Sequence, residues 1–149
     1  KTLKSCGSNC HGELGISDKN ANYKNEFSPV LNGNKILQFS CGVSHIGCLT
    51  INNDVYMFGF NEDCQCGFVG STQCFSGKKI IIYNHIITQV SCGGHHTIIK
   101  TKKNEYFFLG STKGNDLIIQ TNEDKIYIPT LILKDYIYNK TGSSNIIID

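Results

Sequence analysis

Phe39-Ser40-Cys41-Gly42-Val43-Ser44-His45-Ile46 recurs as Val90-Ser91-Cys92-Gly93-Gly94-His95-His96-Thr97, with Gly93 51 positions after Gly42. The following stretch repeats at the same offset. Thr-Ile-Asn-Asn-Asp-Val-Tyr-Met-Phe-Gly at 50–59 returns as Thr-Lys-Lys-Asn-Glu-Tyr-Phe-Phe-Leu-Gly at 101–110. Residues 3–7 align with 55–59 at an offset of 52, and 141–148 align with 92–99 at 49. A fixed period of this size marks a repeat architecture, in which a unit too small to bury its own apolar face stacks on its neighbours. Three units are expected, at 1–52, 53–103 and 104–149, the third eroded, with no linker between them.

Within each unit the apolar pattern has a period near two and is rich in β-branched and aromatic residues, which suit a pleated, half-buried surface. Residues 36–40, 46–51, 55–58, 80–83, 86–90, 96–100 and 105–109 are expected strands. Asn32-Gly33-Asn34, Asn52-Asn53-Asp54 and Lys103-Asn104 supply turns, because Gly and Asn tolerate positive φ. No window of a dozen residues carries a helical stripe. Short, evenly spaced strands with a glycine signature in every unit read as all-β, and as blades of a β-propeller.

Composition agrees with a packed domain. Of 149 residues 40% are apolar, and 15 are Gly, enough to build a core and to exclude disorder over the whole length. No window approaches the 18 consecutive apolar residues of a spanning helix. The first residues carry no signal-peptide pattern. The start at Lys1 suggests a processed product or a piece of something longer. Net charge is +2, only 17% of residues are charged, and all 14 basic residues are Lys. Without Arg, the residue that makes bidentate contacts to phosphate and guanine, a dedicated nucleic-acid surface is not expected. Eight Cys with no secretion signal, several inside apolar runs, read as free thiols in a reducing compartment, nuclear or cytoplasmic.

Each unit also has a glycine-rich turn after its first strand. These are Gly7-Ser8-Asn9-Cys10-His11-Gly12-Glu13-Leu14-Gly15, Gly59-Phe60-Asn61-Glu62-Asp63-Cys64-Gln65-Cys66-Gly67 and Gly110-Ser111-Thr112-Lys113-Gly114-Asn115-Asp116-Leu117. With these turns and the Gly-x-x-His stretches, the chain resembles the regulator of chromosome condensation repeats over essentially its whole length. That family's unit has a strand ending in Gly, then Gly-x-Asn-x-x-Gly-Gln-Leu-Gly, and later apolar-small-small-Gly-x-x-His. The matching positions are Gly7, Asn9, Gly12, Leu14, Gly15, Gly42 and His45, then Gly59, Asn61, Gln65, Gly67, Gly93 and His96, and finally Gly110 and Gly142. Glu13 stands where Gln is usual, Cys64 for a Gly, Cys66 for the Leu, and Asn145 at the third His position. Kelch units need Gly-Gly in every copy, and here only Gly93-Gly94 occurs. The resemblance implies a seven-bladed ring of four-stranded antiparallel blades, of which this chain supplies three. A partial ring leaves blade faces and a sheet edge open, so the remaining blades are expected elsewhere in the polypeptide or in another chain.

The candidate sites read as structural. His45 and His96 hold one repeat position, and an active site does not need a copy per blade. Cys41 and Cys92 fill the small-residue position before a glycine and read as packed thiols. Cys6, Cys10 and His11, and the pair Cys64 and Cys66, lack zinc spacing, so no metal is expected. Redox chemistry at Cys64 and Cys66 lacks the Cys-x-x-Cys spacing. His95-His96 near Lys100 suggests acid–base chemistry, but the sequence places no carboxylate to orient it, so no enzyme and no cofactor are expected. Lys78, Lys79, Lys100, Lys102 and Lys103 read as solvated turn residues.

The expected function is a protein–protein interaction scaffold, since binding residues gather on variable loops held by a rigid frame. The stretches 15–28, 69–79 and 113–125 differ most between units and are the expected contact regions. The alternative that the resemblance implies is guanine-nucleotide exchange on a small, Ran-like GTPase, in association with chromatin. The low charge and the lack of Arg count against chromatin. No sequence feature names the partner.

Overall fold

The computed structural model describes residues 2–113 and 123–132; Gly142 and Asn145 lie outside the described residues. The described residues form β-strands and no helix. β1 (Leu3–Ser8) and β2 (Tyr23–Val30) make a two-stranded antiparallel ribbon. β3 (Ile36–Cys41), β4 (His45–Thr50), β5 (Val55–Phe60) and β6 (Gln73–Ile80) make a four-stranded antiparallel sheet. β7 (Ile87–Cys92), β8 (His96–Thr101), β9 (Tyr106–Ser111) and β10 (Lys125–Ile132) repeat it. This is the expected all-β partial propeller.

Its blades differ from expectation in phase. Among the described residues two sheets have four strands and the N-terminal one has two, where three four-stranded blades were expected. The unit boundaries at 52/53 and 103/104 fall in the β4–β5 and β8–β9 turns, so the first two expected units each feed two sheets. The first unit begins with what is the third strand of a blade. Gly59 of β5 therefore faces His45 of β4, and Gly110 of β9 faces His96 of β8. Gly7, at the same position of β1, pairs only with Lys24 of β2.

The turns form where Asn and Gly predict them. Asn53 and Asn104 adopt positive φ in the β4–β5 and β8–β9 hairpins, and Gly33 does so between β2 and β3. The strand expected at 80–83 does not form; β6 ends at Ile80, and Ile81 and Tyr83 are exposed in the connection to β7. Apolar content misled the reading there. The outer strands β2 and β6 lie largely inside stretches expected to be loops, 15–28 and 69–79, and β10 begins at Lys125, where the third such stretch, 113–125, ends; 114–122 lie outside the described residues. Outer strands bury little. Along β6 only Cys74 and Ile80 are buried, so Gln-Cys-Phe-Ser-Gly-Lys-Lys-Ile carries no alternation to read. Both prolines, Pro29 and Pro129, sit in outer strands, where a missing N–H costs no ladder bond.

The core lies between the sheets. β3 and β4 pack on β7, joining Leu49, Met57, Phe58, Val90, Ile99 and Leu109 into one cluster. Gly47 lets this happen: a Cβ there would meet Val90 Cγ1 at 2.5 Å. Val90 is 0% exposed, while Phe39, its equivalent on β3, is 55% exposed beside exposed Leu37 and Cys41. These side chains face away from β7, toward the side where the N-terminal ribbon lacks inner strands. Cys41 is thus not the packed thiol expected, whereas its equivalent Cys92 packs against the core. Covering a side chain the size of Phe39 stabilises by about 1.5–3 kcal/mol, so this face favours a further pair of inner strands.

Candidate functional site

The glycine-rich turns are built on buried asparagines. Asn9 donates from Nδ2 to the carbonyls of Asp18 (3.0 Å) and Ala21 (2.8 Å) and accepts from Leu14 N–H on Oδ1. Asn61 repeats the clamp, with Phe68 and Ser71 carbonyls at 2.9 and 2.8 Å and Cys66 N–H at 2.9 Å. One amide thus fixes a loop that has no ladder of its own, and Leu14 and Cys66 tuck inside beneath it. Gln65 Oε1 accepts from Asp63 N–H at 3.0 Å; Glu13 does the same for His11 N–H at 2.7 Å. A carboxylate replaces the amide here because the bond needs only an acceptor. Gly12, Gly15 and Gly67 complete these turns with positive φ.

The repeated histidines pack into the frame, and His45 joins two blades. His45 is buried, with Nε2 3.0 Å from Thr97 Oγ1 of the next blade. Thr97 donates its single hydroxyl proton to the Gln65 carbonyl at 2.8 Å, so His45 donates from Nε2. Its Nδ1 is a bare acceptor with no hydrogen-bond partner. Burial lowers the His45 pKa from 6.5 to about 4, which keeps the ring neutral. Gly42 is a glycine because a Cβ there would overlap the His45 ring and the Gly93 carbonyl oxygen. Gly93 stands in the same relation to His96, whose ring stacks on Phe108 at 5.5 Å and whose pKa burial also lowers.

A second set of inter-blade bonds escaped the sequence reading. Gln38 of β3 grips the backbone of Val90 on β7, its Nε2 donating to the carbonyl at 3.2 Å and its Oε1 accepting from N–H at 3.1 Å. Ser40 Oγ accepts from Cys92 N–H at 2.9 Å, and Asn53 Oδ1 from Ile87 N–H at 2.8 Å. The self-alignment held the signal: Gln89 and Ser91 occupy the repeat positions of Gln38 and Ser40.

One polar cluster is not repeated. His95 Nδ1 lies 3.1 Å from Asp63 Oδ2, and Lys125 Nζ lies 3.4 Å from Asp63 Oδ1 and 2.9 Å from the Glu62 carbonyl. It joins the β5–β6 loop, the β7–β8 turn and the start of β10 at one end of the blades. The carboxylate that the sequence left out beside His95 is therefore Asp63, 32 positions away. His95 remains largely exposed, and the repeat equivalents of Asp63 and His95 are His11 and Ser44. Lys125 is already paired with Asp63 and the Glu62 carbonyl.

The remaining candidates stay apart. All eight cysteines are free; Cys48, Cys64, Cys66 and Cys74 are buried, and Cys6, Cys10 and Cys41 exposed. Burial raises Cys48 to about 12 and Cys92 to about 11. Among the described residues no three His, Cys, Asp or Glu side chains converge as metal ligands. Lys79 pairs with Asp54 at 2.6 Å, and Lys78 lies over the Phe68 ring at 4.0 Å. Among the described residues no helix is long and apolar enough to cross a membrane.

The geometry is that of propeller blades whose shared side chains serve the frame. The model of the regulator of chromosome condensation (RCC1) repeat matches residues 5–49 and 52–99, more than half of the chain, and the chain belongs to that family. It is 33% identical over 92 residues to the probable E3 ubiquitin-protein ligase HERC4 of Mus musculus, covering 61% of this chain and 9% of that protein. It is 32% identical over 127 residues to the protein RCC2 homolog of Xenopus laevis, covering 85% of this chain and 24% of that one. The chain therefore spans a small part of these relatives. The crystal structure of Prp20p from Saccharomyces cerevisiae matches 95% of this chain and 35% of its own, with a TM-score of 0.77 at 18% identity, a likeness of fold.

Proposed function

We propose that this propeller segment is a protein-interaction scaffold that binds partners through the loop end of its blades. The observation that supports this most is the contrast between frame and face. Asn9 and Asn61, Gly42 and Gly93, and His45 and His96 recur and serve the frame, whereas Asp63, His95 and Lys125 form a partly exposed cluster that does not recur. A rigid frame that spends its repeated polar groups internally leaves recognition to the side chains that differ. The remaining blades of the ring, supplied by the same polypeptide or by another chain, cover the β3 face and pair with β1. The free thiols suit a reducing intracellular compartment.

The test is the full-length protein with Asp63→Ala, His95→Ala and Lys125→Ala together. Partner binding is expected to fall at least tenfold with an unchanged melting temperature. Binding at wild-type strength contradicts the reading. A second reading, exchange of guanine nucleotide on a small Ran-like GTPase, is favoured by the likeness to Prp20p, a protein whose structure was determined together with its binding to Gsp1p and histones.

A further inference from the structure

The two blade junctions differ at their outer rim. In the first, the β1–β2 loop runs down to the free edge of β6. Ser17 N–H donates to the Phe75 carbonyl at 2.8 Å, and Ile16 bridges Ser76 in antiparallel fashion. The chain thus lays its own short extended segment, Ile16-Ser17, along that edge. By the repeat register, the second junction should lay Phe68-Val69 along Tyr127-Ile128 of β10. It does not. No bond from Val69 N–H to the Tyr127 carbonyl exists among the described residues, and Tyr127 and Ile128 are 48% and 63% exposed.

Two features of the sequence account for the gap. Gly12 packs so tightly on β6 that a Cβ there would lie 2.6 Å from the Cys74 carbonyl oxygen. Its equivalent is Cys64, which has a Cβ, so the second loop must stand off from β10. That loop is also shorter: Asn9 N–H bonds Asn22, 13 positions on, while Asn61 N–H bonds Thr72, 11 positions on. A groove of about 430 Å³ remains, walled by Phe68, Lys78, Ile81, Tyr83, Ile128 and Pro129. Lys78 makes no ion pair among the described residues.

We propose that this groove is a docking site for an extended segment of a partner protein that pairs with the edge of β10, seats a β-branched apolar side chain between Phe68 and Ile128, and sets a carboxylate near Lys78. The first junction shows the edge pairing and the apolar seat of the occupant, since there Ile16-Ser17 does this work in cis; the carboxylate answers Lys78, since Asp18 is taken by Lys24 at 3.1 Å. Edge pairing supplies affinity through the main chain, and the apolar slot and the lysine supply selectivity. The proposal deepens the scaffold reading but uses a different surface from the Asp63 cluster, so the two fail separately.

The test uses the full-length protein and a blocked peptide of residues 14–19, Leu-Gly-Ile-Ser-Asp-Lys. Hydrogen–deuterium exchange at 125–132 should slow at least threefold as the peptide saturates. Ile128→Asp, a change at an exposed position, should abolish the effect. So should Cys64→Gly, by letting the loop close onto β10. A peptide with Asn for Asp should bind several-fold more weakly. Absence of saturable protection overturns the proposal, as does equal binding by Cys64→Gly. Full protection of 125–132 without peptide also overturns it, because another part of the protein then fills the groove. If the Asp63, His95 and Lys125 variant loses its partner while the peptide still protects 125–132, the groove stands independently of the loop end.

Discussion

His45 and Thr97 join the two complete blades: Nε2 of one lies 3.0 Å from Oγ1 of the other, across a buried boundary that no backbone ladder crosses. The bond needs the proton on Nε2, which leaves Nδ1 of the neutral ring bare. A second proton would fall on Nδ1, which is buried and has nothing to donate to. Stability should therefore depend on pH through this residue. The folded pKa is lowered to about 4 from 6.5, so the unfolded chain binds more protons between those values. The stability is fully present above pH 6.5 and is lost as pH falls toward 4. A shift of this size corresponds to about 3 kcal/mol. His96, also lowered by burial, adds in the same direction. Urea unfolding of the wild type should weaken from pH 7 to pH 4.5, and His45→Gln should flatten much of that slope. An equally steep slope in His45→Gln contradicts the assignment.

Gly42→Ala attacks the same joint by steric means. Its Cβ must displace the His45 ring or the Gly93 carbonyl. Overpacking of this kind costs about 1–3 kcal/mol, and the displaced ring should lose part of its pH dependence as well. Gly94→Ala is the control, with only Val43 Cγ2 near, at 4.0 Å, and should be close to neutral. Thermal melts of the two variants give the comparison.

Asn61→Ala removes two donors and one acceptor at once. It leaves the Phe68 and Ser71 carbonyls and the Cys66 N–H without partners. At about 1 kcal/mol or more for each bond, the loss should be roughly 3 kcal/mol. Asn61→Asp should be at least as harmful, because a carboxylate would then face two carbonyl oxygens. Calorimetry decides it; a loss below 1 kcal/mol for both variants is the contrary result.

These joints show how far the sequence could be read. The 51-residue echo of Gly42 and His45 in Gly93 and His96 exposes the repeat, and Asn53 and Asn104 mark the hairpins. The outer strands stayed hidden because β2, β6 and β10 bury too little to alternate, while Ile80-Ile81-Ile82-Tyr83 looked like a strand and is mostly a connection. The blade phase was hidden too, since the repeat in sequence begins at a blade's third strand. Asp63 beside His95 could not be found by alignment, because neither residue recurs and the loops that bring them together belong to different sheets.

The thiols should sort by burial. At pH 8, Cys6, Cys10 and Cys41 should be alkylated within minutes, with Cys41 the slowest of them because partial burial raises its pKa. Cys48 and Cys66 should resist until the chain unfolds, since burial denies both access and the thiolate form. Mass spectrometry of a time course reads this out. Rapid labelling of Cys48 in the native state would contradict the packing between the sheets.

The central claim is that the protein binds partners as a scaffold, through loops on a fixed frame. The direct measurement is capture of partners on the full-length protein, once in EDTA and once in magnesium with GTP. The account predicts the same partner set in both, reduced by the Asp63, His95 and Lys125 variant. A small GTPase held only in EDTA would contradict it and make nucleotide exchange the function.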